Sequence, residues 1–253
     1  MAQNYFVWKG TDSRSMGIIL SDPVPIIRPE ERVEHIQIPG RSGDLTELEG
    51  EAVFNSYIQT VSLIVRGGYR IREIYNWLRG SGYVTFCGDP DKRQPARVVG
   101  AVTLQKHSRN LDMWVGEVQF YCQPMKERLE DTSETISGST NLYNRGDVIS
   151  KPLFKFAYNN DGSHTAGVAT IHISGNSQLP TPTADMNRII VRNLTQGQVV
   201  WVDSETMTVL NADKTAILNA QTSGFCPVMG TGLNTVSGYG WTSLQIWKRE
   251  RFL

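Results

Sequence analysis

The stretch Tyr69-Arg70-Ile71-Arg72-Glu73-Ile74-Tyr75-Asn76-Trp77-Leu78-Arg79-Gly80 decides how the first half of this chain folds. Ile71, Ile74, Tyr75 and Leu78 recur at i, i+3, i+4 and i+7, one stripe of a helix, while Arg70, Arg72, Glu73, Asn76 and Arg79 face elsewhere. The spacing predicts a three-turn helix over residues 69–79. Gly67-Gly68 breaks the segment before it, Arg79 suits the negative end of the helix dipole, and Gly80 can take the left-handed cap. Burying the four apolar side chains contributes about 1.5–3 kcal/mol each, against tenths per residue for intrinsic propensity. Packing therefore decides this helix, and a sheet must lie beneath it.

Residues 83–87 supply the first strand of that sheet, with Val84 and Phe86 on one face and the turn cluster Gly88-Asp89-Pro90-Asp91 after them. Residues 97–104 place Val98, Val102 and Leu104 together, and residues 113–122 place Trp114, Val118, Phe120 and Cys122 opposite Glu117 and Gln119. Upstream, 4–8 and 16–20 read as short strands, and the prolines at 23, 25 and 29 confine the next segment to extended or edge backbone, because each removes a ladder donor. Residues 32–38 and 45–51 form a long hairpin around the turn Pro39-Gly40-Arg41-Ser42-Gly43-Asp44. In its return arm Glu47, Glu49 and Glu51 share one face and Leu48 takes the other, either as a solvated row or as a contact surface. Residues 57–65 carry apolar side chains on both faces and read as a strand in the middle of a sandwich.

At 253 residues, one large domain or two ordinary ones is the expectation. After Cys122-Gln123-Pro124 the composition turns charged and then Ser/Thr/Gly-rich, which sets domains of 1–130 and 131–253. The second contains no helical period. Its candidate strands, 153–156, 168–173, 188–193, 199–202, 207–210 and 244–247, suggest a β-sandwich or jelly roll. Basic and acidic residues number 25 each and stay balanced in both halves, so no general grip on nucleic acid or membrane is expected. Cys87, Cys122 and Cys226 are odd in number and lack CxxC spacing, which reads as free thiols in a reducing cytoplasm. The first ten residues lack a signal-peptide core, and no apolar run of about 18 residues predicts membrane insertion.

Chemistry is sparsely signalled. His35, His107, His164 and His172 stand apart with no metal-ligand spacing, and no catalytic residue, metal or cofactor is assigned. Ser204 between Asp203 and Glu205 lacks the GxSxG turn of a nucleophile, and Gly80-Ser81-Gly82 and Gly230-Thr231-Gly232 are too short for a phosphate loop. Trp201, Tyr239, Trp241 and Trp247 could stack on sugar rings if exposed, with core packing as the simpler alternative.

The run 71–82, then Asp89-Pro90-Asp91-Lys92-Arg93, Ala96-Arg97-Val98-Val99-Gly100 and Phe120-Tyr121-Cys122-Gln123-Pro124, closely resembles the N-terminal domain of distal tail (Dit) proteins of siphophages, the long-tailed, non-contractile phages. Residues 25–32 and 38–45 are similar to that family's hairpin. Asn144-Arg145-Gly146, Ser150-Lys151-Pro152, Asp203-Ser204-Glu205, Gly230-Thr231-Gly232-Leu233-Asn234 and Glu250-Arg251-Phe252-Leu253 are similar to its C-terminal half. The resemblance implies a mainly β chain, with an α+β ring-forming domain like a tail-tube sandwich followed by a galectin-like β-sandwich whose last strand can return to the first domain. It implies a non-enzymatic structural hub at the virion tail tip, assembled in the host cytoplasm. The partners are then five further copies in a homo-hexamer, the tail tube protein, a tail-fibre or spike protein and host-binding proteins, and DNA passes through without specific binding. On that reading Arg41, Asp44, Glu47, Glu49 and Glu51 are candidates for the ring interface or lumen. The alternative is a carbohydrate-binding module recognising host-surface glycans through Trp201, Tyr239 and Trp241, with an unrecognised hydrolase third.

Overall fold

The computed structural model describes residues 4–48, 53–107, 111–179 and 187–253. It divides the chain into two compact units, one reaching Leu129 and the other spanning Glu130–Phe252.

The first unit contains β1 (Phe6–Trp8), β2 (Thr11–Asp12), β3 (Ile18–Leu20), β4 (Val33–Ile36), β5 (Leu45–Leu48), β6 (Tyr57–Arg66), β7 (Ser81–Phe86), β8 (Lys92–Lys106), β9 (Met113–Cys122) and β10 (Lys126–Arg128), with helix α1 (Ile71–Trp77). One antiparallel sheet runs β2-β1-β7-β8-β9-β6-β3, and β10 pairs with the start of β8. Alternation sorts its faces: Phe6, Trp8, Val61, Leu63, Val65, Val84, Val118 and Phe120 are buried on one side. The rings of Phe6 and Phe120 lie 5.4 Å apart although β7 and β8 separate their strands, so the sheet curls over on itself as a sandwich. β8 permits the curl. Val99 pairs with Gln119 and Thr103 with Glu117, four steps on β8 against two on β9, with Gly100 at φ +70° inside the bulge. Just beyond it the strands touch: a Cβ on Gly116 would sit 1.9 Å from the Thr103 carbonyl oxygen.

Several expectations change here. The helix is shorter than predicted: Gly68–Arg70 form one 3-10 turn, Ile71–Trp77 the α-helix, and Leu78 has already left helical geometry at ψ 57°. Ile74 and Leu78 are buried, but Tyr75 is 36% exposed, its hydroxyl accepting the Leu104 N–H at 3.3 Å. Trp77, to which the apolar spacing assigned no side, turns inward and stacks on Phe6 at 5.5 Å. The cause is reciprocal hydrogen bonding. Trp8 Nε1 donates to the Trp77 carbonyl (3.0 Å) and Trp77 Nε1 to the Trp8 carbonyl (3.2 Å), so each indole N–H finds its acceptor in the other residue. β6 is not a central strand covered on both sides; it lies one place from the β3 edge, with Ile58 51% exposed. β8 begins earlier than predicted, at Lys92, and tolerates Pro95, whose carbonyl accepts the Gln123 N–H at 2.9 Å.

The second unit holds β11 (Glu134–Ile136), β12 (Thr140–Asn144), β13 (Leu153–Tyr158), β14 (Ala169–Ser174), β15 (Arg188–Val191), β16 (Val199–Asp203), β17 (Thr208–Asn211), β18 (Thr222–Gly224), β19 (Gly232–Tyr239), β20 (Trp241–Trp247) and β21 (Arg251–Phe252). All of these but β21 form two five-stranded antiparallel sheets, β11-β20-β13-β16-β17 and β12-β19-β14-β15-β18. Phe154, Phe156, Val200, Val202, Leu244 and Ile246 from the first sheet meet Leu142, Ile171, Ile173, Ile189, Val191 and Val236 from the second. All six predicted strands lie in this sandwich. Sequence periodicity missed β11, β12, β18 and β19. β19 is central, and its inward positions include Asn234 as well as Val236, so apolar alternation is weak. Gly238 lets it approach β14, since a Cβ there would meet the Thr170 carbonyl oxygen at 2.0 Å.

Candidate functional site

A surface for assembly is best sought in the β4–β5 hairpin. The ladder pairs Val33 with Leu48, Glu34 with Glu47, His35 with Thr46 and Ile36 with Leu45. The base is tied down where Arg32 N–H donates to the Val53 carbonyl (2.9 Å) and Asn55 N–H to the Glu30 carbonyl (2.8 Å). Beyond the base, every residue from Glu34 to Leu45 is exposed. Gly40 and Gly43, both at φ +83°, turn the tip in conformations that a side chain would strain. Arg41 and Asp44 lie at this exposed tip. Glu49 and Glu51 lie outside the described residues, as does the side chain of Glu47. Register adds something the carboxylate pattern did not signal: Ile36 and Leu45 are direct cross-strand partners, 36% and 42% exposed, with Ile38 at 40% beyond them. Alternating isoleucines flanking a turn were the signal. A two-stranded ribbon with an uncovered apolar face is marginally stable alone in water, so this arm calls for a partner.

The other open surface is the face of the first unit's sheet turned away from its core. Ile58 beside Tyr121 and Ile19 beside Ile64 mark two apolar rows, joined by Thr60, Ser62, Thr103, Glu117 and Gln119. Glu117 is the carboxylate at this centre, and Arg97, the β8 partner of Tyr121, and Arg66, the partner of Met113, stand exposed at its two ends.

The aromatic residues of the second unit are largely occupied. Trp241 is a correction to the stacking proposal: it is buried, and its Nε1 donates to the Thr170 carbonyl at 2.9 Å. Trp201 stacks on Trp247 at 5.4 Å, and the Lys214 ammonium lies 3.8 Å from its ring centroid. Tyr239 lies against His164 at 4.1 Å and 8°. A sugar ring reaching Trp201 or Tyr239 must displace one of these neighbours.

Perturbed titratable groups are tied to structural contacts. Burial pushes the Asp203 carboxyl up, but two hydrogen bonds from Arg249 (2.6 and 3.1 Å) and the backbone N–H groups of Glu205 and Thr206 outweigh it and hold it low. Asp89 behaves alike: burial raises it, and Lys126 at 2.7 Å and Lys92 at 3.4 Å bring it net down. Burial wins at Asp131, whose carboxyl is raised. His172 is held below the usual imidazole range by burial and by Arg188, its register partner on β15. Ser204 is buried and donates to the Pro227 carbonyl at 2.6 Å, a turn contact. No three His, Cys, Asp or Glu side chains converge as a metal-binding group among the described residues.

Burial pushes the Cys122 thiol up to about 12. The thiolate is the nucleophile, so at pH 8 roughly one thiol in ten thousand is reactive there. Iodoacetamide at pH 8 is expected to leave Cys122 unlabelled in the folded protein and to label it fully in urea, read by peptide mass spectrometry.

No protein-family model matches the chain, and no curated protein matches it. Among solved structures it is similar to the crystal structure of the SPP1 Dit (gp19.1) protein, described as a paradigm of the hub adsorption apparatus in phages infecting Gram-positive bacteria. The likeness has a TM-score of 0.76, with 15% sequence identity, and covers 99% of this chain and 99% of that one. From its first strand to its last, this chain has the fold of that phage Dit protein.

Proposed function

We propose that the protein is the structural hub of a siphophage tail tip: a hexameric ring that joins the tail tube to a tail-fibre or spike protein and surrounds the path of the DNA. The observation that carries this reading is the likeness in fold to a hub protein along the whole chain. The exposed β4–β5 arm supports it, because a head-to-tail contact between copies closes into a ring and covers an apolar ribbon that one copy leaves bare. The open face of the first unit's sheet suits a lumen. Its centre offers Thr60, Ser62, Thr103 and Gln119 with Glu117, and its cations, Arg66 and Arg97, stand apart at the two ends of the face, where they do not combine into one phosphate grip. Arg41, Asp44, Glu47, Glu49 and Glu51 are then ring-interface or lumen residues. The role needs surfaces rather than a reaction, and its site of action is the tail tip of the virion.

Light scattering of the purified protein at micromolar concentration is expected to return a hexamer, with rings visible by negative-stain imaging. Protein that stays monomeric at the highest concentration reached, or that turns over a cell-wall substrate, would overturn the proposal.

A further inference from the structure

The contact that closes the ring can be assigned from charge, and this assignment rests on the ring reading above. Residues 28–48, the arm and its base, carry five carboxylates against three arginines. Residues 66–79, the end of β6 and α1, carry Arg66, Arg70, Arg72 and Arg79 against Glu73 alone. The two surfaces are opposite in sign. They also sit at opposite ends of one strand: the hairpin base enters the ten-residue β6 at Tyr57, and α1 leaves it after Arg66. At about 3.3 Å per residue the separation is roughly 30 Å. Surfaces at opposite ends of one unit meet naturally between neighbouring copies in a head-to-tail arrangement.

Ile74 and Leu78 face the core, which leaves Arg72, Glu73 and Asn76 exposed on α1, with exposed Tyr69 on the 3-10 turn before it and exposed Arg79 just past its end. Tyr69 is 83% exposed, and Tyr75, 36% exposed, follows six residues further along. Lys9 brings another ammonium to the end of this surface, donating to the Arg79 carbonyl. Asp112, which accepts the Gly68 N–H at 2.9 Å, is the carboxylate at the other end. On the arm, Ile36, Ile38 and Leu45 form an apolar patch beside Glu34 and Asp44. We propose that the acidic arm of one copy lies along the basic outer surface of α1 in the next, with Ile36, Ile38 and Leu45 covering Tyr69 and Tyr75, and Glu30, Glu34 and Asp44 facing Arg72 and Arg79. Electrostatic complementarity then fixes register and partner, and the aliphatic–aromatic patch supplies the area.

Two charge-reversed proteins test it. The first carries Glu30→Lys, Glu34→Lys and Asp44→Lys; the second carries Arg72→Glu and Arg79→Glu. All five positions are exposed, and circular dichroism checks that each variant is folded. Like charges facing each other are expected to lower the assembled fraction of either protein alone by about tenfold or more. Mixing the two restores it, because each reversed surface then meets its complement in an alternating ring, and native mass spectrometry should count both chains equally. One chain carrying all five substitutions should assemble as well. Wild-type assembly should weaken as salt rises from about 0.05 to 0.5 M, where screening lengths become short. If wild type assembles and either variant alone assembles equally well, or the mixture does not recover, the contact is wrong and the ring reading stands. Wild-type protein that never assembles removes both.

Discussion

Phe120→Ala is expected to cost about 3–5 kcal/mol of stability, the usual range for truncating a fully buried aromatic residue. Phe120 is fully buried, and its ring lies 5.4 Å from Phe6, 5.2 Å from Trp8 and 6.0 Å from Phe86. Those partners come from β1 and β7, so one side chain on β9 holds the curl of the sheet closed. The loss combines transferred apolar area, edge-to-face ring contacts and the cavity left behind. With a urea dependence of about 1–3 kcal/mol per molar, the unfolding midpoint should fall by more than about 1 M. A shift several times smaller would mean that Phe6, Trp8 and Phe86 collapse into the space, and that the curl is set by the β8 bulge instead.

Asn234→Ala is the second substitution of large expected effect, for a different reason. Asn234 is fully buried; its Nδ2 donates to the carbonyls of Gly230 (2.8 Å) and Gly232 (3.0 Å), while its Oδ1 accepts the Gly230 N–H at 3.0 Å. Asn144, also buried, points its Nδ2 at the carbonyls of Met229 (3.3 Å) and Gly230 (3.2 Å) and accepts the Gly146 N–H at 2.9 Å. Both side chains bond backbone groups of Gly230, which lies between the Met229–Ser150 bridge and the start of β19 at Gly232. Alanine leaves backbone groups buried without partners at about 1–3 kcal/mol each, so a total loss of roughly 2–4 kcal/mol is expected by thermal or urea unfolding. Asn234→Asp sharpens the test. An ionised carboxylate donates nothing and faces two carbonyl oxygens, whereas its protonated form donates one hydrogen. Burial raises the carboxyl's pKa, so this variant should recover stability towards wild type as pH falls, and lose it again as pH rises. An Asp variant with wild-type stability at neutral pH would show that water, not the amide, satisfies Gly230.

What was legible in the sequence followed from period and turn chemistry. The alternation of Trp114, Val118, Phe120 and Cys122 located β9 to the residue, and the six apolar strands of the second half all lie in its sandwich. Elements held by amides and glycines were missed, because hydrophobic period carries no signal where Asn234 fills an inward position or Gly238 lets two backbones touch. The helix was overextended for a related reason: Leu78 fits the apolar stripe, yet its backbone has already turned towards β7. The mutual Trp8–Trp77 hydrogen bonds join residues 69 apart and have no local trace. At the candidate site, the long arm and its carboxylates were visible, but Ile36, Ile38 and Leu45 became a surface only once register set Ile36 against Leu45. Tallying charge by halves also averaged away the contrast between arm and helix.

The stacked indoles of Trp201 and Trp247, 5.4 Å apart, have a practical use. Chromophores this close share their ultraviolet excitation, so the second unit should display an exciton couplet in its circular dichroism. That couplet is a built-in, label-free gauge of whether β16 and β20 still flank β13.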